Sequence, residues 1–385
     1  MTTDPKRFET SAIHAGQDPD PTTGAAVVPI YQTSTYVQEA VALHKGFEYS
    51  RTDNPTRRAL ETCLAALEGA EHAVTFASGM AALTTLALTL NSGDKVVIPD
   101  DVYGGTYRLF DKVFAPLGLT YATADMTDPA SVEAALEGGA AMVVAETPTN
   151  PLLKVLDISM IAEAGHAAGA LVVVDNTFAT PYIQLPLIHG ADAVVYSATK
   201  YLGGHSDLLM GSVATDDAGL NERLRFLGNA AGAVPGPFDS WLLLRGLKTL
   251  ALRMRAHSEN AALVAAWLRT HPAVAKVYWP GFEDFPGHDV AKRQMSASGE
   301  PLYGGMVSIE ARSEEEALAL CERTELFFLA ESLGGVESLI EHPGQMTHAS
   351  LAGSGMEVSG ALVRLSVGIE HVDDLIADLD RALEG

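Results

Sequence analysis

Four short groups of residues in this 385-residue chain have types and spacing that suit covalent chemistry. Lys200 closes Tyr196-Ser197-Ala198-Thr199-Lys200, directly after the apolar run Ala193–Tyr196. A lysine amine in that place, beside two hydroxyls, can attack a carbonyl once it loses its proton. Asp175 stands 25 residues earlier, after the apolar run Leu171–Val174, and offers a carboxylate to a cationic ring nitrogen. Ser78-Gly79-Met80-Ala81-Ala82 reads as the opening of a helix, so the N–H groups of Gly79 and Met80 can face a phosphate. Tyr103, in Asp101-Val102-Tyr103-Gly104-Gly105-Thr106, follows the run Lys95–Ile98 and supplies an aromatic face for stacking.

Each group alone is ordinary. A lysine near a strand end is usually solvated, and an aspartate there usually caps a helix or forms a turn. Taken together, in this order, an amine, a carboxylate, an anion cradle and a stacking ring meet the needs of pyridoxal 5′-phosphate (PLP). Lys200 would carry the cofactor as a Schiff base. Asp175 would keep the pyridine nitrogen protonated, so that the ring acts as an electron sink.

The elements that must position these residues are also legible. Lys95–Ile98, Ala141–Ala145, Leu171–Val174 and Ala193–Tyr196 are short, nearly continuous apolar runs, as in strands buried on both faces of a parallel sheet. Helical stretches alternate with them. Thr56–Gly69 aligns Leu60, Leu64 and Leu67, Asp128-Pro129 opens a second helix, and Asp157 caps a third. The pattern predicts a doubly wound α/β domain, whose strand carboxyl ends are the expected ligand site. Glu146-Thr147-Pro148-Thr149-Asn150-Pro151 lies at one such end. Beyond about residue 250 the texture changes to a smaller α+β domain. It has a long helix over Leu250–Arg269, strands at Gly305–Ile309 and Leu362–Val367, a capping box at Ser313 and Glu316, and a last helix over Val372–Leu383. The expected division is an N-terminal arm over 1–52, a PLP-binding α/β domain over 53–250 and a C-terminal α+β domain over 251–385.

Composition narrows the function classes. With 47% hydrophobic and 19% charged residues the chain is globular. A net charge of -24 opposes nucleic acid and anionic membrane surfaces, which need a basic face. No apolar run is long enough to span a bilayer and no leader is visible, so a cytoplasmic protein is expected. Cys63 and Cys321 lie in helical patterns without metal-ligand spacing, and no metal is expected. No G-x-G-x-x-G follows a strand, which disfavours a nicotinamide dehydrogenase.

With these residues in place the chain resembles the Cys/Met-metabolism family of PLP enzymes, of fold type I. The resemblance runs from about residue 8 to the C-terminus. It is carried by Glu48-Tyr49-Ser50-Arg51-Thr52, Ser78–Ala82, Asp101–Thr106, Glu146–Pro151, Val172–Pro181, Tyr196–Asp207, Ala330–Leu339 and Arg364–Gly368. It implies that Lys200 and Tyr103 act in catalysis, with Tyr103 also stacked on the ring. It implies phosphate contacts from Gly79, Met80, Ser197 and Thr199, and from Tyr49 and Arg51 of a neighbouring subunit's arm. That exchange implies an obligate dimer, and the resemblance implies that two active dimers usually assemble as a homotetramer. Arg364 resembles the family's clamp on the substrate α-carboxylate, helped by Asn150 and the backbone around Ser332. A guanidinium suits that bidentate task better than an ammonium. Asp53 stands where the family often has glycine, which matters only if the position needs a left-handed backbone.

The resemblance also addresses the reaction. Glu331 before Ser332 and Glu48 before Tyr49 resemble enzymes that handle cystathionine, whose distal end carries an ammonium. Arg108 is placed to meet its distal carboxylate. Gly104 stands where methionine γ-lyases carry cysteine, so that activity is the less expected one. Cystathionine γ-lyase, which splits cystathionine into cysteine, 2-oxobutanoate and ammonia, is the favoured expectation. The alternative is cystathionine γ-synthase, which replaces the acyl group of an O-acyl-homoserine with cysteine.

Overall fold

A computed structural model describes residues 6–347 and 358–384. Five-residue runs rich in Val, Ile and Ala form most of a seven-stranded sheet. Its strands are β1 (His72–Phe76), β2 (Lys95–Pro99), β3 (Thr120–Ala124), β4 (Met142–Glu146), β5 (Leu171–Asp175), β6 (Ala193–Ser197) and β7 (Gly211–Thr215). Their order is β1-β7-β6-β5-β4-β2-β3. β2 through β6 run parallel, and β7 pairs antiparallel with both β6 and β1.

Alternate residues of the central strands supply two separate cores. Val96, Ile98, Met142, Val144 and Val173 pack with Ala82, Leu83 and Leu86 on one face. Val97, Val143, Ala145, Val172 and Val174 pack with Val132, Ile158 and Ile161 on the other. Covering on both faces explains why these strands read as continuous apolar runs. β3, β7 and β1 lack that signature and are not legible in the pattern. β3 is a partly exposed edge, Thr-Tyr-Ala-Thr-Ala, and β7 is buried but built from Gly, Ser, Ala and Thr around a single valine.

The helices follow their caps. Asn54 accepts from the N–H groups of Thr56 (2.9 Å) and Arg57 (3.4 Å) to open Pro55–Glu68, which Gly69 ends with a φ of 73°. Asp128 and Asp157 cap their helices as expected. Ser313 caps the helix Glu314–Arg323, but Glu316 reaches back to the N–H of Arg312 instead of that of Ser313, so the expected box is displaced by one residue.

The second sheet has the order β10-β11-β12-β9-β8, from β8 (Val274–Tyr278), β9 (Met306–Ala311), β10 (Phe328–Leu329), β11 (Leu339–Glu341) and β12 (Leu362–Ser366). The long helix Leu250–Leu268 and the last helix Val372–Glu384 cover it through Ala261, Val264, Leu268, Leu375 and Leu379. Part of the N-terminal arm packs on the large core. A helix over Phe8–His14 buries Ala12 against Leu60 and Cys63, whereas Val37, Val41 and Tyr49 are exposed. The backbone at Asp53 is not left-handed, so no glycine is required there. Its carboxylate accepts from the N–H of Asn54 at 2.7 Å and pairs with Arg58.

Candidate active site

The carboxyl ends of β4, β5 and β6 and the start of the helix Gly79–Ala87 open on a pocket of about 240 Å³. Lys200, Asp175, Tyr103, Gly79, Met80, Ser197, Thr199, Asn150, Glu331, Ser332 and Arg364 all line it. A larger cleft of about 890 Å³ lies between β8 and the Leu152–Met160 segment but gathers no comparable set.

Close approach at the phosphate end depends on two glycines. A Cβ at Gly79 would stand 2.9 Å from Ser197 Cα, and one at Gly211 would stand 2.2 Å from the Ser78 carbonyl oxygen. Without side chains there, the helix N-terminus sits directly against the β6–β7 end. Ser78 caps that helix by accepting from the N–H of Ala81 at 3.0 Å, which leaves the first N–H groups facing the pocket. The Thr199 hydroxyl is tied to Met210, at 3.0 Å from its N–H. Thr177 is a lining residue that the motif reading did not single out. Its hydroxyl accepts from the Ser197 N–H at 2.8 Å, and its own N–H donates to Asp175 Oδ1 at 2.9 Å.

Lys200 Nζ donates to Ser332 Oγ at 2.6 Å. Burial, and then the nearby Arg364 guanidinium, push the Lys200 ammonium down to about 8, against the opposing pull of Glu341 and Glu331. Asp175 ends β5, and its carboxyl is raised by burial. Glu146 ends β4 directly across from it in register, and is raised by burial and by Asp175. Glu146 was quoted in the motif but not singled out. It accepts from the N–H groups of Tyr103 (3.1 Å) and Asn150 (2.7 Å). Gly105 leaves room for the Tyr103 ring, because a Cβ there would lie 2.4 Å from Tyr103 Cε1.

Arg364 is buried on β12, with Nη1 2.9 Å from Asn150 Oδ1 and 2.9 Å from Glu341 Oε1, and with Nη2 2.7 Å from the Ser332 carbonyl. Its buried Nε has no partner among the described residues. Ser332 holds a left-handed backbone, φ 94°, a conformation that costs a non-glycine residue energy and is often kept at functional positions.

Four expected residues lie outside the pocket of their own chain. Tyr49 is exposed, Arg51 Nε donates to Asn229 Oδ1 at 3.1 Å, and Glu48 lies 3.8 Å from His44. Arg108 ends the short helix Gly104–Arg108 and does not line the pocket, although its charge acts on the Tyr103 hydroxyl.

The residues present fit PLP. Two buried carboxylates at adjacent strand ends suit a protonated ring nitrogen. The amine with a lowered ammonium pKa is on hand, the glycine cradle admits a phosphate, and the unpartnered Arg364 Nε suits a carboxylate. Among the described residues no cluster suits a metal ion and no helix is long and apolar enough to cross a membrane. Both cysteines are buried, with thiols pushed up to about 12 by burial.

Comparison with known proteins points the same way. Residues 9–384 match the family model described as Cys/Met metabolism PLP-dependent enzyme. A cystathionine gamma-synthase of Mycobacterium tuberculosis is 55% identical, covering 97% of this chain and 96% of the relative. A cystathionine beta-lyase of Coxiella burnetii is 50% identical (98% and 97% covered), and a cystathionine gamma-lyase of Bacillus subtilis is 49% identical (98% and 99% covered). The crystal structure of metB from Corynebacterium glutamicum superposes with a TM-score of 0.96 at 47% identity, covering 99% of each chain.

Proposed function

This chain belongs to the Cys/Met-metabolism family of PLP-dependent enzymes, and we propose that within it the chain works as a cystathionine γ-synthase. The reaction joins an O-acyl-homoserine and cysteine into cystathionine and releases the acyl carboxylate. The 55% identity to a relative named for that activity, against 49–50% for relatives named as lyases, carries the reading. It moves the emphasis away from the lyase that the motifs favoured. The lyase stays as the second reading, because cystathionine is product in one case and substrate in the other, and Glu331 at the pocket suits its distal ammonium equally in both.

Bound PLP supplies the electron sink that makes the α- and β-protons of an amino acid acidic and lets a γ-substituent depart. The chain's own residues do the rest. Arg364 and Asn150 hold the α-carboxylate and so point Cα toward Lys200. Lys200 Nζ, in its unprotonated form, takes the α-proton and later returns protons along the Cα–Cγ chain. Asp175 holds the ring nitrogen proton, and Tyr103 covers the ring face. Gly79, Met80, Ser197 and Thr199 receive the phosphate. Among the described residues the pocket-lining cations are Lys200 and Arg364, both joined to Ser332, so neither stands at the phosphate end. That deficit supports a contribution from Tyr49 and Arg51 of a neighbouring copy, with Glu48 and Arg108 completing the distal end of the substrate site. It also supports an active dimer, paired into a tetramer. On this reading residues 1–52 serve as the exchanged arm, 53–250 as the cofactor domain and 251–385 as the substrate-clamping domain.

The test is a two-substrate panel on the holoenzyme. An O-acyl-homoserine with cysteine should yield cystathionine. The reading fails if that mixture yields none while cystathionine alone yields 2-oxobutanoate and ammonia, which would transfer the assignment to the lyase.

A further inference from the structure

We infer that Glu146 is a positioning residue that sets the relative placement of the ring-covering Tyr103 and the carboxylate-holding Asn150. This rests on the roles proposed above for those two residues. Glu146 ends β4 and is nearly fully buried, at 6% exposure. One carboxylate oxygen accepts from the Tyr103 N–H at 3.1 Å and the other from the Asn150 N–H at 2.7 Å. These donors belong to two different loops, one after β2 and one after β4. The same carboxylate therefore clamps both loops to one rigid strand end. The chain of contacts continues, since Asn150 Oδ1 accepts from Arg364 Nη1 at 2.9 Å. Glu146 thus reaches the guanidinium through Asn150, and its charge also acts on Arg364 directly.

A carboxylate is the side chain this task needs. Both N–H groups are donors, so both of its ends must accept. A glutamine has one acceptor end and one donor end, and would leave one N–H facing an NH2 group. The unsatisfied N–H would then pull away, and its loop would shift. Glu146 also lies opposite Asp175 in the β4–β5 register, which fixes its place in the strand end.

The experiment compares Glu146→Gln, Asn150→Ala and the double variant as PLP-loaded enzymes, and also titrates each stripped protein with PLP by fluorescence. Glu146→Gln should raise KM for the amino-acid substrate roughly 10-fold and weaken PLP binding by a similar factor, because Tyr103 is released as well. In the double variant KM should stay within about 3-fold of Asn150→Ala, since Glu146 acts on the carboxylate through Asn150. Unchanged KM and PLP affinity in Glu146→Gln, or strict additivity in the double variant, would overturn the inference and leave the role of Asn150 standing. An Asn150→Ala enzyme with unchanged KM would instead remove that role and the inference with it. If Glu146→Gln does not fold, Glu146→Asp, one methylene too short to reach both donors, is read by the same criteria.

Discussion

Lys200 Nζ donates to Ser332 Oγ at 2.6 Å, while the Ser332 carbonyl accepts from Arg364 Nη2 at 2.7 Å. One residue thus joins the amine that follows the large sheet to the guanidinium of the small sheet. Replacing Ser332 by Ala should cost about 10-fold in kcat/KM, ~1.4 kcal/mol, the worth of one hydrogen bond to a charged donor. The left-handed backbone at this position makes Ser332→Gly the informative partner. It loses the same hydroxyl without strain, so the two variants should lose equal activity while the Gly variant unfolds at the higher temperature.

The Lys200 ammonium, lowered to about 8 chiefly by burial, should govern how the stripped protein takes up its cofactor. Below that pH the amine is protonated and slow; above it the free base reacts. The rate of PLP capture, followed by visible absorbance, should rise through pH ~8 and level off, well short of the ~10.4 of a free lysine. Glu331→Gln should move the midpoint lower still, because Glu331 supports the charged form. The linkage has a definite sign. Between pH ~8 and ~10.4 the unfolded chain binds the proton that the folded one has lost, so stripped protein should gain stability as pH rises across that window.

Arg364→Lys keeps a positive charge but cannot serve Asn150, Glu341 and Ser332 while presenting a forked edge to the substrate. KM should rise about 100-fold with kcat within about 3-fold, the signature of lost carboxylate binding. A matched fall in kcat would place Arg364 in the chemical step instead.

Subunit exchange tests the arm. Arg51→Ala and Lys200→Ala should each be inactive alone. Refolded together at equal amounts, half of the dimers are mixed and each holds one intact site of two, so activity should recover to about a quarter of the native value. No recovery would mean that Arg51 serves its own chain.

Glu68 is a stability determinant remote from the chemistry. It is buried, accepts from the Tyr196 hydroxyl, and has its carboxyl raised to about 8 by burial. The folded state therefore holds a proton that the unfolded chain releases above pH ~4.3. Stability should decline as pH rises from there to about 8. Glu68→Gln should flatten that decline in a thermal-unfolding series, and an unchanged slope would show that Glu68 is not its source.

Much of the site was legible because parallel strands announce themselves. Buried on both faces, β2, β4, β5 and β6 must be apolar throughout, so the polar residues at their carboxyl ends, Glu146, Asp175 and Ser197, stand out. The strands that escaped notice, β7 above all, are made of small or polar residues whose burial comes only from neighbours distant in sequence. Thr177 escaped as a pocket residue for a related reason, and Glu146 stood out at its strand end but without a role. Each touches the pocket's machinery through backbone N–H groups, which carry no sequence signal.

The sequence by itself determined the parts: an amine, a strand-end carboxylate, a glycine-bearing helix start and a guanidinium, each tied to local pattern and residue chemistry. Only the tertiary structure decided how they act on one another. That Arg364, 164 residues beyond Lys200, helps lower its pKa, and that Ser332 bridges the two, are consequences of chain crossings between two sheets; that Glu146 faces Asp175 follows from strand pairing within one. Electrostatics and hydrogen bonding depend on distance in space and on the water excluded around them, and neither quantity is written in the order of residues along the chain.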